Sequence, residues 1–211
     1  MTLVKICGLS EPATLDAAVA AGADHIGLVF FPPSPRHLGF ERAASLAARV
    51  PERVGRVGVF VDADDLLIES AMRAGRLSAL QLHGAAPSRL AELKRRFGLE
   101  VWAAIPVATR RDLEGAKAWI GAADRLLFDA KAPKGASLPG GNAVRFDWRL
   151  LDGFKVGMPW GLAGGLDPAS VAEAIATTAA PLVDVSSGVE DAPGVKSADK
   201  IRAFLKAVRG R

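Results

Sequence analysis

The chain has 211 residues, 50% of them hydrophobic and 24% charged, the composition of an ordinary globular fold long enough to bury a sizeable core. Its single cysteine, Cys7, excludes an intrachain disulfide. The first residues carry neither a basic segment leading into a long apolar stretch nor a stop-transfer run, so the expected setting is the cytoplasm with no membrane span. The net charge of +4 suits an anionic ligand, but Lys94-Arg95-Arg96 and Arg110-Arg111 read as solvated helix faces without a nucleic-acid-binding motif, so no nucleic-acid partner is expected.

Short β-branched runs alternate with longer, alanine-rich amphipathic stretches, the pattern of βα units that build a parallel sheet. The first strand covers residues 4–7 and ends in Cys7-Gly8. In period-2 alternation Val4 and Ile6 face one way and Lys5 and Cys7 the other, about 6.6 Å apart along the strand, so the ammonium is placed to favour a thiolate. A lone cysteine is also often a small buried hydrophobe; its place at a strand end is what points to chemistry. Ser10 serves as N-cap for the helix that Glu11-Pro12 opens. The second strand, residues 25–30, leads into Pro32-Pro33-Ser34-Pro35-Arg36, where three prolines stiffen the backbone presenting Arg36, an arrangement suited to holding a carboxylate. Strands three to five fall at 56–61, 79–82 and 101–105, and the fourth runs out in Gln81-Leu82-His83-Gly84.

The sixth strand, 125–129, ends in Phe128-Asp129-Ala130. Residues 130–146 follow with no strand or helix signal but with Pro133, Gly135, Pro139, Gly140 and Gly141, and read either as a mobile active-site loop or as an insertion without a role. The next helix, 147–151, is the weakest. Strand seven, 160–163, gives way to Gly164-Gly165-Leu166 and a helix with Asp167 as N-cap and Pro168 in its first position. Strand eight, 182–184, runs into Val185-Ser186-Ser187-Gly188, and Ser197 opens a final helix at 198–208.

Eight βα units with no linker or composition break predict one α/β domain over 1–211, a closed eight-stranded parallel (β/α)8 TIM barrel, with its site at the C-terminal mouth. There Gly164 and Gly165 let backbone approach a ligand, and Ser186, Ser187 and Gly188 can start a short extra helix, together a pattern for binding phosphate. Asp129 is either a capping carboxylate or an acid. His83 suits a supporting role, and with His25 and His37 it forms no metal-ligand spacing, so no metal is expected. Asp184 faces two roles, pairing with Lys5 on the neighbouring strand or contacting a sugar hydroxyl. Trp102, Trp119, Trp148 and Trp160 read as packing residues.

Taken in order, these segments resemble the phosphoribosylanthranilate isomerase family over nearly the whole chain. The motifs are Val4-Lys5-Ile6-Cys7-Gly8-Leu9, Gly22-Ala23-Asp24, Gly27-Leu28-Val29-Phe30, Ser34-Pro35-Arg36, Val57-Gly58-Val59-Phe60, Gln81-Leu82-His83-Gly84, Phe128-Asp129, Phe146-Asp147-Trp148, Leu162-Ala163-Gly164-Gly165-Leu166 and Asp184-Val185-Ser186-Ser187-Gly188-Val189-Glu190. One departure is Gly140-Gly141-Asn142-Ala143, where the family usually carries a Gly-Gly-Thr-Gly type run. The resemblance implies an Amadori rearrangement of N-(5-phosphoribosyl)anthranilate to 1-(2-carboxyphenylamino)-1-deoxyribulose 5-phosphate in tryptophan biosynthesis. It makes Cys7 the general base, Asp129 the general acid and Arg36 the contact for the anthranilate carboxylate, with the phosphate on the last two loops. No cofactor is expected, the only partner is a phosphorylated small molecule, and the assembly is a monomer or homodimer. Two rivals are an aminoaldose isomerase of histidine biosynthesis, which uses paired aspartates where this chain offers Cys7, and a non-catalytic barrel that binds a phosphorylated metabolite.

Overall fold

The computed structural model describes residues 1–133, 135, 138, 140–141 and 144–210. Pro139 and the Asn142-Ala143 departure lie outside the described residues. Eight parallel strands close on themselves in sequence order: β1 (Leu3–Cys7), β2 (His25–Val29), β3 (Gly55–Val61), β4 (Ala79–His83), β5 (Glu100–Val107), β6 (Arg125–Ala130), β7 (Trp160–Leu162) and β8 (Leu182–Val185). The ring shuts where β1 pairs with β8, with Lys5 opposite Asp184, and this is the (β/α)8 barrel that the alternating pattern predicts. Helices α1 (Pro12–Ala20), α2 (Phe40–Ala47), α3 (Asp65–Gly75), α4 (Pro87–Phe97), α5 (Arg110–Gly115), α6 (Val171–Thr178) and α7 (Ala198–Arg209) return the chain between strands or follow the last. Between β6 and β7 the helical element is only a 3-10 turn, Trp148–Leu151.

Strand alternation sorts the side chains into two cores. Outward residues such as Val4, Ile6, Leu28, Leu80 and Phe128 pack with buried helix residues, among them Leu15, Leu46, Ile68, Leu90 and Phe204, into one apolar shell. Inside the barrel, Val57, Ala79, Trp102, Leu127 and Leu182 fill a lower layer, and Cys7, Val29 and Val59 form part of an upper one. Trp102 is fully buried there, with His25 edge-on to its ring at 5.2 Å and the Arg125 guanidinium over it at 5.0 Å, so this tryptophan plugs the floor. Trp119, Trp148 and Trp160 pack against the outer shell, as expected of packing residues. Between the two apolar layers sit Lys5, Gln81 and Asp184, all buried. Burying ionisable groups in a barrel centre costs several kcal/mol per unpaired ion, so they demand partners or a purpose.

Three details differ from the sequence reading. The N-cap of α1 is Glu11 rather than Ser10 and makes no side-chain capping bond; Pro12, which has no N–H to satisfy, supplies the start. The helix after β7 begins at Val171 rather than Pro168, because the Asp167 carboxylate accepts from the backbone N–H groups of Ala169 and Ser170 (2.9 and 2.8 Å) and closes a separate turn before it. After a 3-10 turn at Ser187–Val189, two further strands form an antiparallel hairpin, β9 (Glu190–Ala192) and β10 (Val195–Lys196), too short to show alternation. Ser197 does stand at the N-cap of α7. Among the described residues no helix is long and apolar enough to cross a membrane.

Candidate active site

The C-terminal ends of the strands surround a cleft that opens to solvent. Cys7, Arg36, His83, Asp129, Gly164, Gly165, Asp184, Ser186 and Ser187 all line it. Gly188, expected among the phosphate contacts, does not: a Cβ there would lie 1.8 Å from the Leu166 carbonyl oxygen, so this glycine lets the β7 and β8 loops touch. Among the described residues no group of three or more His, Cys, Asp or Glu side chains is placed to hold a metal ion.

On the floor of the cleft, the Lys5 ammonium donates to both carboxylate oxygens of Asp184 at 2.9 Å, the pairing that adjacency of β1 and β8 makes natural. Burial opposes the charge on Lys5, but Asp184 and then Cys7 outweigh it and raise its pKa. The Cys7 thiol sits beside this ammonium, which acts on its charge. Gly27, opposite Cys7 in the β1–β2 register, makes the space: a Cβ there would stand 2.8 Å from Sγ and 3.2 Å from the Lys5 ammonium. Lys5 therefore favours a thiolate in the expected sense, yet the thiol pKa is raised overall. Burial is the largest cause, and Asp184 adds to it by offsetting the Lys5 charge.

Asp129 lies across the mouth, two strands from Asp184 around the ring. Burial, then the Asp184 carboxylate, pushes its pKa up from 3.8 to about 7 against the opposing pull of the Ala130 amide and Lys5, which keeps a share of it protonated near neutral pH. Two glycines pack over it. A Cβ on Gly140 would meet Oδ2 at 2.7 Å and His83 Cε1 at 3.2 Å, and one on Gly164, whose φ is +84°, would meet the Ala130 backbone N at 2.4 Å and Asp129 Oδ1 at 2.9 Å. His83 is pushed down from 6.5 to about 4 by burial and then by Lys5, so it is a neutral imidazole, with a ring nitrogen 3.2 Å from the Gln81 amide nitrogen. Gln81 lines the same cleft. It was not singled out from the sequence, although its period-2 spacing from His83 puts both on one face.

Arg36 is held by a carboxylate of its own chain. Its Nε and Nη2 donate to the two oxygens of Glu190 at 2.7 and 2.8 Å, and Nη1 is the atom that a Cβ on Gly141 would meet at 2.7 Å. Glu190 also accepts from the buried Lys196 ammonium at 2.5 Å, and that ammonium donates to the Ser186 carbonyl and hydroxyl oxygens at 3.0 and 3.1 Å. Burial alone would raise the Glu190 pKa, but the Arg36 hydrogen bonds and Lys196 carry it down to about 2, so it is a permanent anion. This clamp ties the β2 loop, the hairpin and the β8 loop into one wall. Glu190 is the last residue of the motif that starts at Asp184, and Lys196 lies outside every motif of the sequence.

The chain matches the N-(5'-phosphoribosyl)anthranilate (PRA) isomerase family over residues 4–207. It is 54% identical over 208 residues to the N-(5'-phosphoribosyl)anthranilate isomerase of Paramagnetospirillum magneticum, covering 98% of this chain and 97% of that protein. The Paracoccus denitrificans protein of the same name is 55% identical over 203 residues, with 96% and 94% covered. Among solved structures, the phosphoribosyl anthranilate isomerase of Thermotoga maritima superposes with a TM-score of 0.89 at 34% identity, each chain covered in full. A phosphoribosyl anthranilate isomerase in complex with reduced 1-(o-carboxyphenylamino)-1-deoxyribulose 5-phosphate superposes with a TM-score of 0.85 at 34% identity, again over both whole chains.

Proposed function

This chain belongs to the N-(5'-phosphoribosyl)anthranilate isomerase family and carries its activity in tryptophan biosynthesis, and we propose that the cleft performs it with Cys7 as general base and Asp129 as general acid. The single observation that carries the assignment is the placement of these two groups on opposite sides of one cleft, with a buried carboxyl that keeps its proton toward neutral pH. Asp129 protonates the ribose ring oxygen, the C1–O bond breaks, and the electron pair on the anthranilate nitrogen closes an iminium. The positive nitrogen acidifies C2, the Cys7 thiolate removes its proton, and the enolamine tautomerises to the ketone. A thiolate with a raised pKa is the stronger base, at the cost of a small ionised fraction.

Anchoring comes from both ends of the substrate. Arg36, oriented by Glu190, holds the anthranilate carboxylate through the guanidinium edge that Glu190 leaves open. The backbone of Gly164, Gly165, Ser186 and Ser187 holds the phosphate, with Gly188 keeping the two loops in contact. In this reading the sugar hydroxyls meet His83, neutral and beside Asp129, and Asp184 at the floor; that both residues line the cleft supports it. The Thermotoga maritima relative is described as dimeric, and the present chain works as a monomer or homodimer on a water-soluble phosphorylated substrate in the cytoplasm.

Cys7→Ser tests the base. The hydroxyl differs little in size and is almost never ionised near neutral pH, so fluorescence-monitored turnover of fresh phosphoribosylanthranilate should fall by roughly 100-fold or more. Binding of a reduced product analogue should persist, because the anchors are elsewhere. Near-native turnover, with chemistry shown to limit the rate, would make the thiol a packing residue.

A further inference from the structure

The Lys5–Asp184 ion pair lies between the proposed base and the proposed acid, and it has a direction. In ring order Asp184 on β8 stands between Asp129 on β6 and Lys5 on β1, while Cys7 is two residues above Lys5 on the same strand. The ammonium and the thiol both crowd the point where a Gly27 Cβ would be, at 3.2 and 2.8 Å, so the positive end of the pair lies next to the thiol. We propose that this buried pair is a positioning dipole, its ammonium end turned to Cys7 and its carboxylate end to Asp129, so that one salt bridge stabilises negative charge on the base and the proton on the acid. The proposal deepens the reading of Cys7 as base and Asp129 as acid and rests on it.

The physical logic is that a net-neutral pair acts on each neighbour through whichever end is nearer. At the buried bottom of the cleft, with Lys5 fully buried and Asp184 nearly so, that difference is screened less than between surface charges. For Asp129 the Asp184 carboxylate is the largest charge effect and Lys5 a smaller opposing one; for Cys7 the order reverses, Lys5 ahead of Asp184. The other charged groups near Cys7 are Lys196, which also favours the thiolate, and Arg36, which the thiolate would in turn stabilise. Near Asp129 stands His83, uncharged at working pH, and His25 below Lys5 is likewise held toward its neutral form by burial and then Arg125. Neither histidine can replace the pair. Active protein needs the thiolate and the protonated carboxyl together, and with the thiol titrating above the carboxyl this form is a minor one. Each further unit of separation between the two pKa values lowers the plateau of kcat/KM about tenfold.

The experiment is the double variant Lys5→Met/Asp184→Asn, which removes both charges without stranding either. The first readout is the pH dependence of alkylation by iodoacetamide, which has one source because Cys7 is the only cysteine. The second is the pH profile of kcat/KM. The thiol titration should move up, the lower break of the profile should move down, and the plateau should sink by the product of the two shifts. Should that variant fail to fold, Lys5→Gln/Asp184→Asn, which can keep an amide–amide hydrogen bond, carries the same test. If neither titration moves, or both move the same way, while melting temperature falls, the pair is a strut and the proposal is overturned. The alkylation titration does not depend on the thiol being the base, so its outcome stays separate from that of Cys7→Ser.

Discussion

At the scale of single residues, the site is defined by what its groups have already spent on each other. Arg36 illustrates this: Nε and Nη2 are committed to Glu190, and what remains for a ligand is the edge carrying Nη1. A fork fixed on one side and open on the other is preorganised, since little side-chain entropy is left to lose on binding. Arg36→Met keeps the apolar stem and removes the fork, so a carboxylate-bearing substrate should lose a charge-assisted contact, about a 10- to 100-fold rise in KM with a smaller change in kcat. An analogue lacking the anthranilate carboxylate should hardly notice the substitution. Equal damage with both compounds would mean that Arg36 only ties the β2 loop to the hairpin. The expected effect of Lys5 on Cys7 teaches a related lesson: its sign was readable from strand alternation, but its weight was not, because burial and the quenching of Lys5 by Asp184 are properties of the closed ring.

Between elements, the β9–β10 hairpin and the loops it braces hang on one carboxylate. Glu190 accepts from Arg36 and Lys196 and is itself buried, so Glu190→Gln leaves two buried cations short of their counter-ion, a loss of about 3–5 kcal/mol. Melting temperature at pH 7 should fall by roughly 6–20 °C. The native pKa of about 2 lies below the ordinary 4.5, so the carboxylate's contribution is complete above 4.5 and is lost as pH falls toward 2; the gap between native and variant should therefore narrow over that window. A constant gap down to pH 2 would show that the clamp contributes shape and not charge. The eight strands were legible because each is a β-branched run bounded by glycine or polar residues, and barrel closure followed from their number. The clamp was not, because β9 and β10 have three and two residues, below the length at which alternation exists. The start of α6 was missed for a different reason: Asp167-Pro168 has the form of a helix start, but Asp167 spends its carboxylate on a turn three residues earlier.

Across the whole molecule, the floor of the barrel is plugged by Trp102 and its neighbours while the mouth holds a carboxyl in a place that disfavours its charge, so stability and chemistry are drawn from opposite ends. Asp129 makes this measurable. Its pKa is about 7 in the fold against an ordinary 3.8, so between those values the folded protein binds more protons than the unfolded chain and stability falls as pH rises. By pH 8 the penalty reaches up to about 4 kcal/mol. Asp129→Asn carries no charge at any pH and escapes it. The variant should melt above the native protein at pH 8, and the difference should vanish by about pH 4. His83 acts in the other window: its pKa is depressed to about 4, so stability is lost as pH falls from 6.5 toward 4, equally in both proteins, and cancels from the comparison. Catalysis should move the opposite way. An amide cannot deliver a proton to the ring oxygen, so kcat/KM should drop by roughly 100- to 10,000-fold and its alkaline fall should disappear, leaving a profile that only rises as the thiolate forms. A strut role for Asp129, bonded to Lys5, would require the variant to melt below the native protein at pH 8, but the Lys5 ammonium is already taken by both oxygens of Asp184. Melting curves and pH profiles from one Asp129→Asn preparation decide between them: a less stable protein with near-native turnover and an unchanged profile removes the acid from the mechanism.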